Sequence, residues 1–222
     1  MRFLAIGDIH GCANALSTLL SYITLRKNDI IITVGDYVDR GPNSYGVIEQ
    51  LIQLSQNHQL ISLRGNHEIM MLRARESSAH HEDWLSNGGN ATLRSYSPLG
   101  DKGKITDVLD EHWSFLERCC PYYQTEKYFV VHANAYPDLP LEEQPDYMLY
   151  WERINDAAPH MSGKKMICGH TPQKNGLPRD MEHAICIDTD VCSRNGWLTA
   201  LDLVSCKYWQ ANNDGQVRSD FL

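Results

Sequence analysis

Gly7-Asp8-Ile9-His10-Gly11, Gly35-Asp36-Tyr37-Val38-Asp39-Arg40-Gly41 and Gly65-Asn66-His67-Glu68 each stand behind a short apolar run: Phe3 to Ile6, Ile30 to Val34 and Leu60 to Leu63. Apolar residues at helical spacing fill the intervals, Leu16, Leu19, Leu20 and Ile23 in the first and Val47, Ile48, Leu51, Ile52 and Leu54 in the second. The order strand, loop, helix therefore recurs, which implies βαβ units and at least partly parallel pairing. Ligands of open α/β sheets gather outside the carboxyl ends of the strands, where all three segments fall. Gly41-Pro42 turns the chain into the second helix, with Asn43 or Ser44 available at its start.

Beyond the third segment the pattern changes. From about Arg75 to Cys120 the chain is polar, contains Gly88-Gly89-Asn90 and Pro98-Leu99-Gly100, and shows no sustained strand period. It is expected to be a mostly helical insertion, either shaping access to the strand-end rim or running over the surface. In it, His80-His81-Glu82-Asp83 is expected to be a solvated loop, because adjacent side chains point apart, and Trp84 and Tyr96 are expected in a local core. Strands resume at Tyr128 to Val131, Lys165 to Cys168, Ala184 to Ile187 and Leu198 to Leu203, the last leading by a hairpin into Lys207-Tyr208-Trp209. The excess of strands over helices suggests a mixed second sheet. The polar tail from Asn212 to Leu222 carries no clear signal. The expectation for all 222 residues is one α/β domain.

The formal charge of -8 argues against a broad nucleic-acid-binding face, which needs clustered Lys and Arg. Bound divalent cations would offset part of that acidity. Cys12, Cys119, Cys120, Cys168, Cys186, Cys192 and Cys206 are odd in number and lack C-x-x-C spacing, so they read as reduced thiols. The first apolar run is too short for a signal sequence, and no later stretch approaches the ~20 apolar residues of a membrane span. A soluble, cytoplasmic protein without a membrane partner is the expectation, with its oligomeric state open and a monomer compatible.

Asp8 and His10 alternate by two, so on extended backbone both leave from one side and can bind one cation. An Asp36 carboxylate at the next strand end can bridge two ions. Asn66 can add an amide oxygen, and His132 and His170, each behind a further apolar strand, can add imidazole nitrogens. One strand-end Asp is ordinarily a turn or helix cap; six such residues at successive strand ends are not explained that way. This mixture of oxygen and nitrogen suits two divalent ions of manganese, iron or zinc better than calcium or a thiolate-bound metal.

On these residues the chain resembles the calcineurin-like metallophosphoesterases. Within them it is most similar to the phosphoprotein phosphatase family of serine/threonine phosphatases, in its small bacterial and lambda-phage branch. All three motifs match, as do Val131-His132-Ala133 and Gly169-His170-Thr171, and the similarity runs from about Met1 to Leu203. The resemblance implies two mixed β-sheets packed as a sandwich flanked by helices. It also implies Asp8, His10 and Asp36 on one metal and Asp36, Asn66, His132 and His170 on the other, with direct attack of a bridging hydroxide on phosphorus. His67 takes the place of the family's general acid, with Asp39 accepting its ring N–H. Arg40 takes that of a bidentate phosphate ligand, and Arg153, in Tyr150-Trp151-Glu152-Arg153-Ile154, that of a second phosphate-binding arginine beside Asn66. The chain departs from the family at Asn134, where a Gly is usual, and at Asp190 in Asp188-Thr189-Asp190, where many members read Asp-Thr-Gly. Those departures touch the substrate rim rather than the ligands.

The expected activity is hydrolysis of phosphoserine and phosphothreonine in a protein or peptide partner. Symmetrical diadenosine tetraphosphate hydrolases share the scaffold but tend to read G-D-x-x-x-R-G and G-N-H-D, so Asp39 and Glu68 favour the protein phosphatases. A non-catalytic module that has kept the fold would not need the ligands, the acid and both arginines.

Overall fold

The computed structural model describes residues 2–97 and 101–222; Met1 and Pro98-Leu99-Gly100 lie outside them. In chain order the first half forms β1 (Phe3–Ile6), α1 (Ala13–Ile23), β2 (Ile30–Thr33), α2 (Ser44–Asn57), β3 (Gln59–Ser62) and α3 (Asn66–Arg73). Next come α4 (Ser78–Trp84), a π-helical turn at Leu85–Gly89, α5 (Asn90–Tyr96) and α6 (Asp110–Glu117). The second half forms β4 (Tyr122–Gln124), β5 (Tyr128–Val131), α7 (Asp146–Tyr150), β6 (Lys165–Cys168), β7 (Arg179–Asp180) and β8 (Ala184–Cys186). The chain ends in β9 (Leu198–Asp202), β10 (Lys207–Ala211) and β11 (Val217–Phe221).

Two mixed sheets pack face to face. One has the order β11-β10-β9-β1-β2-β3 and the other β4-β5-β6-β8-β7. β1, β2 and β3 are parallel, as the strand-helix alternation implies, and so are β5, β6 and β8. Ala5, Ile32 and Val34 from the first sheet meet Val130, Ile167 and Ile185 from the second. Ile31, on the opposite face of β2, packs under Leu16, Leu19, Ile48 and Leu51 of α1 and α2. Burial on both faces explains why β2 shows no alternation. Each aliphatic side chain fully withdrawn from water contributes about 1.5–3 kcal/mol, so this interior, rather than the polar strand ends, supplies the stability.

Several expectations are corrected. The hairpin at 198–211 does not join the second sheet; β9 pairs antiparallel with β1, and β10 and β11 extend the first sheet. The tail forms β11 because five backbone-paired positions opposite β10 outweigh a sequence with little apolar pattern. His80 to Asp83 belong to α4, whose start is capped by Ser77 Oγ accepting from His80 N. Asn43 does the same for α2, its Oδ1 accepting from Gly46 N at 2.8 Å.

Glu68 ties the second and third motifs together. Its buried carboxylate accepts backbone N–H groups from Gly65 and Asp36 at 2.8 Å, and from Tyr37 at 2.8 Å. Burial and the neighbouring Asp36 push its pKa up to about 7, against the pull of those donors. Glu68→Gln, which turns one acceptor into a donor facing those N–H groups, is expected to cost about 1–3 kcal/mol for each donor stranded. Urea unfolding measures this, and an unchanged midpoint would show that the loop does not depend on the carboxylate.

Candidate metal and phosphate site

The motif loops meet at the carboxyl ends of β1, β2, β3, β5 and β6. His10, Asp36, Asp39, Arg40 and His170 all adopt positive φ, at 44°, 52°, 73°, 67° and 60°. A tight turn after β1 therefore carries His10, in place of the extended backbone expected from Asp8 to His10. Gly65 and Gly169 leave room for carboxylates: a Cβ on Gly65 would stand 2.1 Å from Asp36 Oδ1, and one on Gly169 1.9 Å from Asp8 Oδ1.

Two trios of donor atoms share Asp36, namely His10, Asp36 and His67, and Asp36, His132 and His170. His132 Nδ1 donates to Val34 O at 3.0 Å and His170 Nε2 to Trp151 O at 3.1 Å. The remaining ring nitrogens are therefore lone pairs, yet His132 Nε2 faces His170 Nδ1 at 3.2 Å, Asn66 Oδ1 at 3.0 Å and Asp36 Oδ1 at 3.4 Å. Four acceptors aimed at one point without a proton among them are the donor set of a cation. His10 holds the same tautomer, with Nδ1 on Val38 O at 2.9 Å and Nε2 3.3 Å from Asp36 Oδ2, but here the Nε2 lone pair also accepts from Arg40 Nη1 at 2.8 Å.

Charges follow from burial. Withdrawal from water lowers His10 to about 3 and His170 to about 4 and also lowers His132, leaving neutral imidazoles. Burial alone would raise Asp36, but His132, His67 and His10 draw it well below the carboxylate range. Asp8 is raised by burial and then by Asp188 and Asp36, and Asp188 is pushed by burial to about 7. Three crowded buried carboxyls and neutral imidazoles fit a pair of divalent cations. Asp8 lies outside both trios, its carboxylate accepting His170 N–H at 3.0 Å.

His67 is buried, with Nδ1 2.7 Å from Asp39 Oδ2 and Nε2 4.0 Å from Asp36 Oδ2. Burial opposes its charge, but Asp36 and Asp39 outweigh burial and the ring is raised above its ordinary value. Arg40, exposed at the mouth, reaches His10 Nε2 with Nη1 at 2.8 Å. Arg153 is also exposed, on the loop after α7, close enough to depress His170 further. Asn134 and Asp190 are half-buried, Asn134 lining a cavity of about 210 Å³ with Ala135, Met148 and His160.

Sequence reasoning missed what holds Asp39. Trp84 Nε1 donates to both of its oxygens, at 2.9 and 3.0 Å, and Thr92 Oγ1 donates to Oδ1 at 2.7 Å. Thr92 and Ser44 also accept Asp39 N–H. The 75–120 stretch thus braces the site from behind, and Trp84 is fully buried there rather than presented to a ligand. Trp84, an aromatic among polar neighbours, was the available signal; Thr92 gave none. Asp188, at the end of β8, was likewise hidden in a motif noted only for Asp190.

Buried O and N donors converging at the strand ends of a sandwich are the arrangement that a divalent-metal hydrolase requires. The family model for calcineurin-like phosphoesterases matches residues 1–204, and the chain belongs to that family. Serine/threonine-protein phosphatase 1 of Salmonella typhimurium is 30% identical over 198 residues, 83% of this chain and 84% of that protein, which supports the phosphoprotein phosphatase branch. The asymmetrical bis(5'-nucleosyl)-tetraphosphatase PrpE of Anoxybacillus flavithermus is also 30% identical, over 90% of each chain. The symmetrical bis(5'-nucleosyl)-tetraphosphatase of Wigglesworthia glossinidia brevipalpis is 41% identical over 58 residues, 26% of this chain, and that match spans about a fifth of the relative (21%). Among solved structures, a candidate diadenosine tetraphosphatase superposes with TM-score 0.68 at 20% identity, covering 99% of this chain and 93% of its own. A Saccharomyces cerevisiae protein serine/threonine phosphatase with similarity to human phosphatase PP5 superposes with TM-score 0.60 at 15% identity, covering 99% and 79%. Both show the shared fold. The protein is a hydrolase of the metallophosphoesterase type. Among the described residues no helix is long and apolar enough to cross a membrane.

Trp84→Phe keeps the ring in the core and removes the N–H from a buried carboxylate. The expected cost is about 1.5–3 kcal/mol in urea unfolding, the range for hydrogen bonds to charged groups, with a fall in kcat at constant KM. Wild-type stability and turnover would detach the inserted helices from Asp39.

Proposed function

We propose that this chain is a phosphomonoesterase that releases phosphate from phosphoserine and phosphothreonine of a protein partner, using two divalent ions, manganese first and iron or zinc as alternatives. The observation that carries this reading is the buried His67–Asp39 pair, whose His67 ring also lies against Asp36, the carboxylate common to both donor trios. Asp8, His10 and Asp36 would hold one ion, and Asp36, Asn66, His132 and His170 the other. Bound cations of this kind polarise phosphate oxygens and supply a water of lowered pKa.

The chain's own residues do the rest. An alkoxide of Ser or Thr leaves poorly, and a proton delivered from His67 Nε2 contributes ~10²–10⁴-fold. Asp39 keeps the other ring proton on Nδ1 and favours the charged ring, so the proton to be given is in place. Arg40 and Arg153 offer planar forks for phosphate oxygens at the mouth, which a point-charged lysine would not match. Asp39 favours this substrate class because it serves the acid directly; Glu68 supports the loop and touches no substrate position. The seven free thiols accord with a cytoplasmic location. Hydrolysis of dinucleoside polyphosphates is the second reading, favoured by the relatives of that name that align over 90% of this chain.

Turnover of manganese-loaded protein on a phosphothreonine peptide and on diadenosine tetraphosphate, with a chelated control, tests the choice. Preference for the peptide is expected; preference for the dinucleotide would replace the first reading by the second. His67→Asn should lower kcat by ~10²–10⁴-fold with metal content intact, whereas Asp36→Asn should lose both. Wild-type turnover in His67→Asn would remove it as the acid. For Arg40→Ala the expected change is weaker phosphate binding, seen as a lower kcat/KM and a raised inhibition constant for inorganic phosphate; unchanged values would place Arg40 outside the site.

A further inference from the structure

We propose that Cys12 and Cys192 form a peroxide-sensitive dithiol site that closes reversibly to a disulfide against the first motif loop. Their sulfurs lie 3.4 Å apart although the residues are separated by most of the chain. Both thiols donate to one acceptor, the carbonyl oxygen of His10, at 3.5 Å from Cys12 and 3.2 Å from Cys192. Asn213 Nδ2 donates to Cys12 Sγ at 3.2 Å and holds that sulfur in place. The two sulfurs differ in access. Cys12 is fully buried, whereas Cys192 is half-buried and lines a surface cavity of about 410 Å³ with Ser193, Arg194 and Asn213. That volume admits hydrogen peroxide, a molecule little larger than the ~30 Å³ of a water. Cys168 and Cys186 also face each other, across β6 and β8, but both are fully buried and lack such an opening.

The chemistry balances with peroxide as the two-electron oxidant. Cys192 sulfur attacks one peroxide oxygen, the O–O bond breaks, and the Cys192 thiol becomes a sulfenic acid with release of one water. Cys12 sulfur then attacks Cys192 sulfur, the S–O bond breaks, and the departing hydroxide takes the Cys12 proton as a second water. The contact contracts to the ~2.05 Å of an S–S bond. The Cys192 S–H donor to the His10 carbonyl is lost in the first step and the Cys12 S–H donor in the second. Cys12 is also the residue that precedes α1, so the contraction pulls on the backbone that sets His10 at φ 44°. The loss of activity expected from this rests on the reading of His10 as part of the phosphoesterase site; formation of the bond does not.

The test separates these two parts. The purified full chain is treated with hydrogen peroxide and digested with trypsin without reductant. A peptide pair joining residues 3–26 to 180–194, lighter by two hydrogens than the sum and released by dithiothreitol, is expected. The second peptide also contains Cys186, so Cys192→Ser should abolish the pair and Cys186→Ser should retain it. Absence of the pair in the wild type, or its survival in Cys192→Ser, would overturn the proposal. In parallel, hydrolysis of p-nitrophenyl phosphate by the manganese-loaded wild type should fall ~10–100-fold on peroxide treatment and return with dithiothreitol, the range for lost support of a metal-binding residue. Peroxide-treated Cys192→Ser should keep the activity of its own untreated sample. Equal inactivation of both proteins would refute control of the site by the dithiol, even where the linked peptide forms.

Discussion

Asp36 is held from every side, and the rest of the strand-end rim is arranged around it. Its N–H is taken by Glu68, its carbonyl accepts from Ile9 and His10 N–H at 3.0 and 2.8 Å, and its Oδ1 accepts the N–H of His67. Four histidine rings surround its carboxylate, and of these His67 is the one favoured in the charged form that offsets burial. One residue thereby joins the loops after β1, β2 and β3 and faces the side chains that follow β5 and β6. Such a carboxylate, shared by two donor trios, cannot be moved without disturbing both.

That position is not relaxed. Non-glycine residues in the left-handed region cost on the order of 1–3 kcal/mol each, and five residues of the rim are held there. Local hydrogen bonds set the geometry, but the packed layers beneath offset the strain. Ile32 and Val34 fix the end of β2 between the sheets, Ile31 locks it under α1 and α2, and the loop must turn where the strand stops. Close approach adds a second constraint, since Gly65 and Gly169 admit the two carboxylates only by having no side chain.

The strand-end donors were legible because each follows an apolar run whose length is set by the sheet. Asp36, His132 and His170 needed only that rule to be gathered, and Asp39 and His67 are brought to 2.7 Å. Contacts that depend on long-range docking were not legible. β11 is formed by pairing with β10, and neither its polar sequence nor its spacing announces it. The link from Trp84 and Thr92 to Asp39 spans 45 and 53 residues and depends on how a polar segment folds back. Nor did a spacing rule expose the contact between Cys12 and Cys192, which arises where the loop after β8 passes the first motif.

The placement of the inserted helices bears on how specificity arises. Had they formed a lid, their exposed face would have met substrate, and an aromatic such as Trp84 would have stood at the mouth. Instead Trp84 is fully buried against Asp39, and Gly88 O accepts the N–H of Arg40 at 3.3 Å, so the insertion grips the second motif from behind. The opposite rim is differently built: Asn134 is half-buried, while Tyr147, Trp151 and Arg153 are exposed there, and Trp151 O anchors His170. Changes behind Asp39 would alter the orientation of His67 for every substrate alike, whereas changes between Asn134 and Arg153 can alter which leaving group is accepted without moving the donors. The rim after β5 and α7 is therefore free to vary in shape and charge while the buried donors at the strand ends stay fixed.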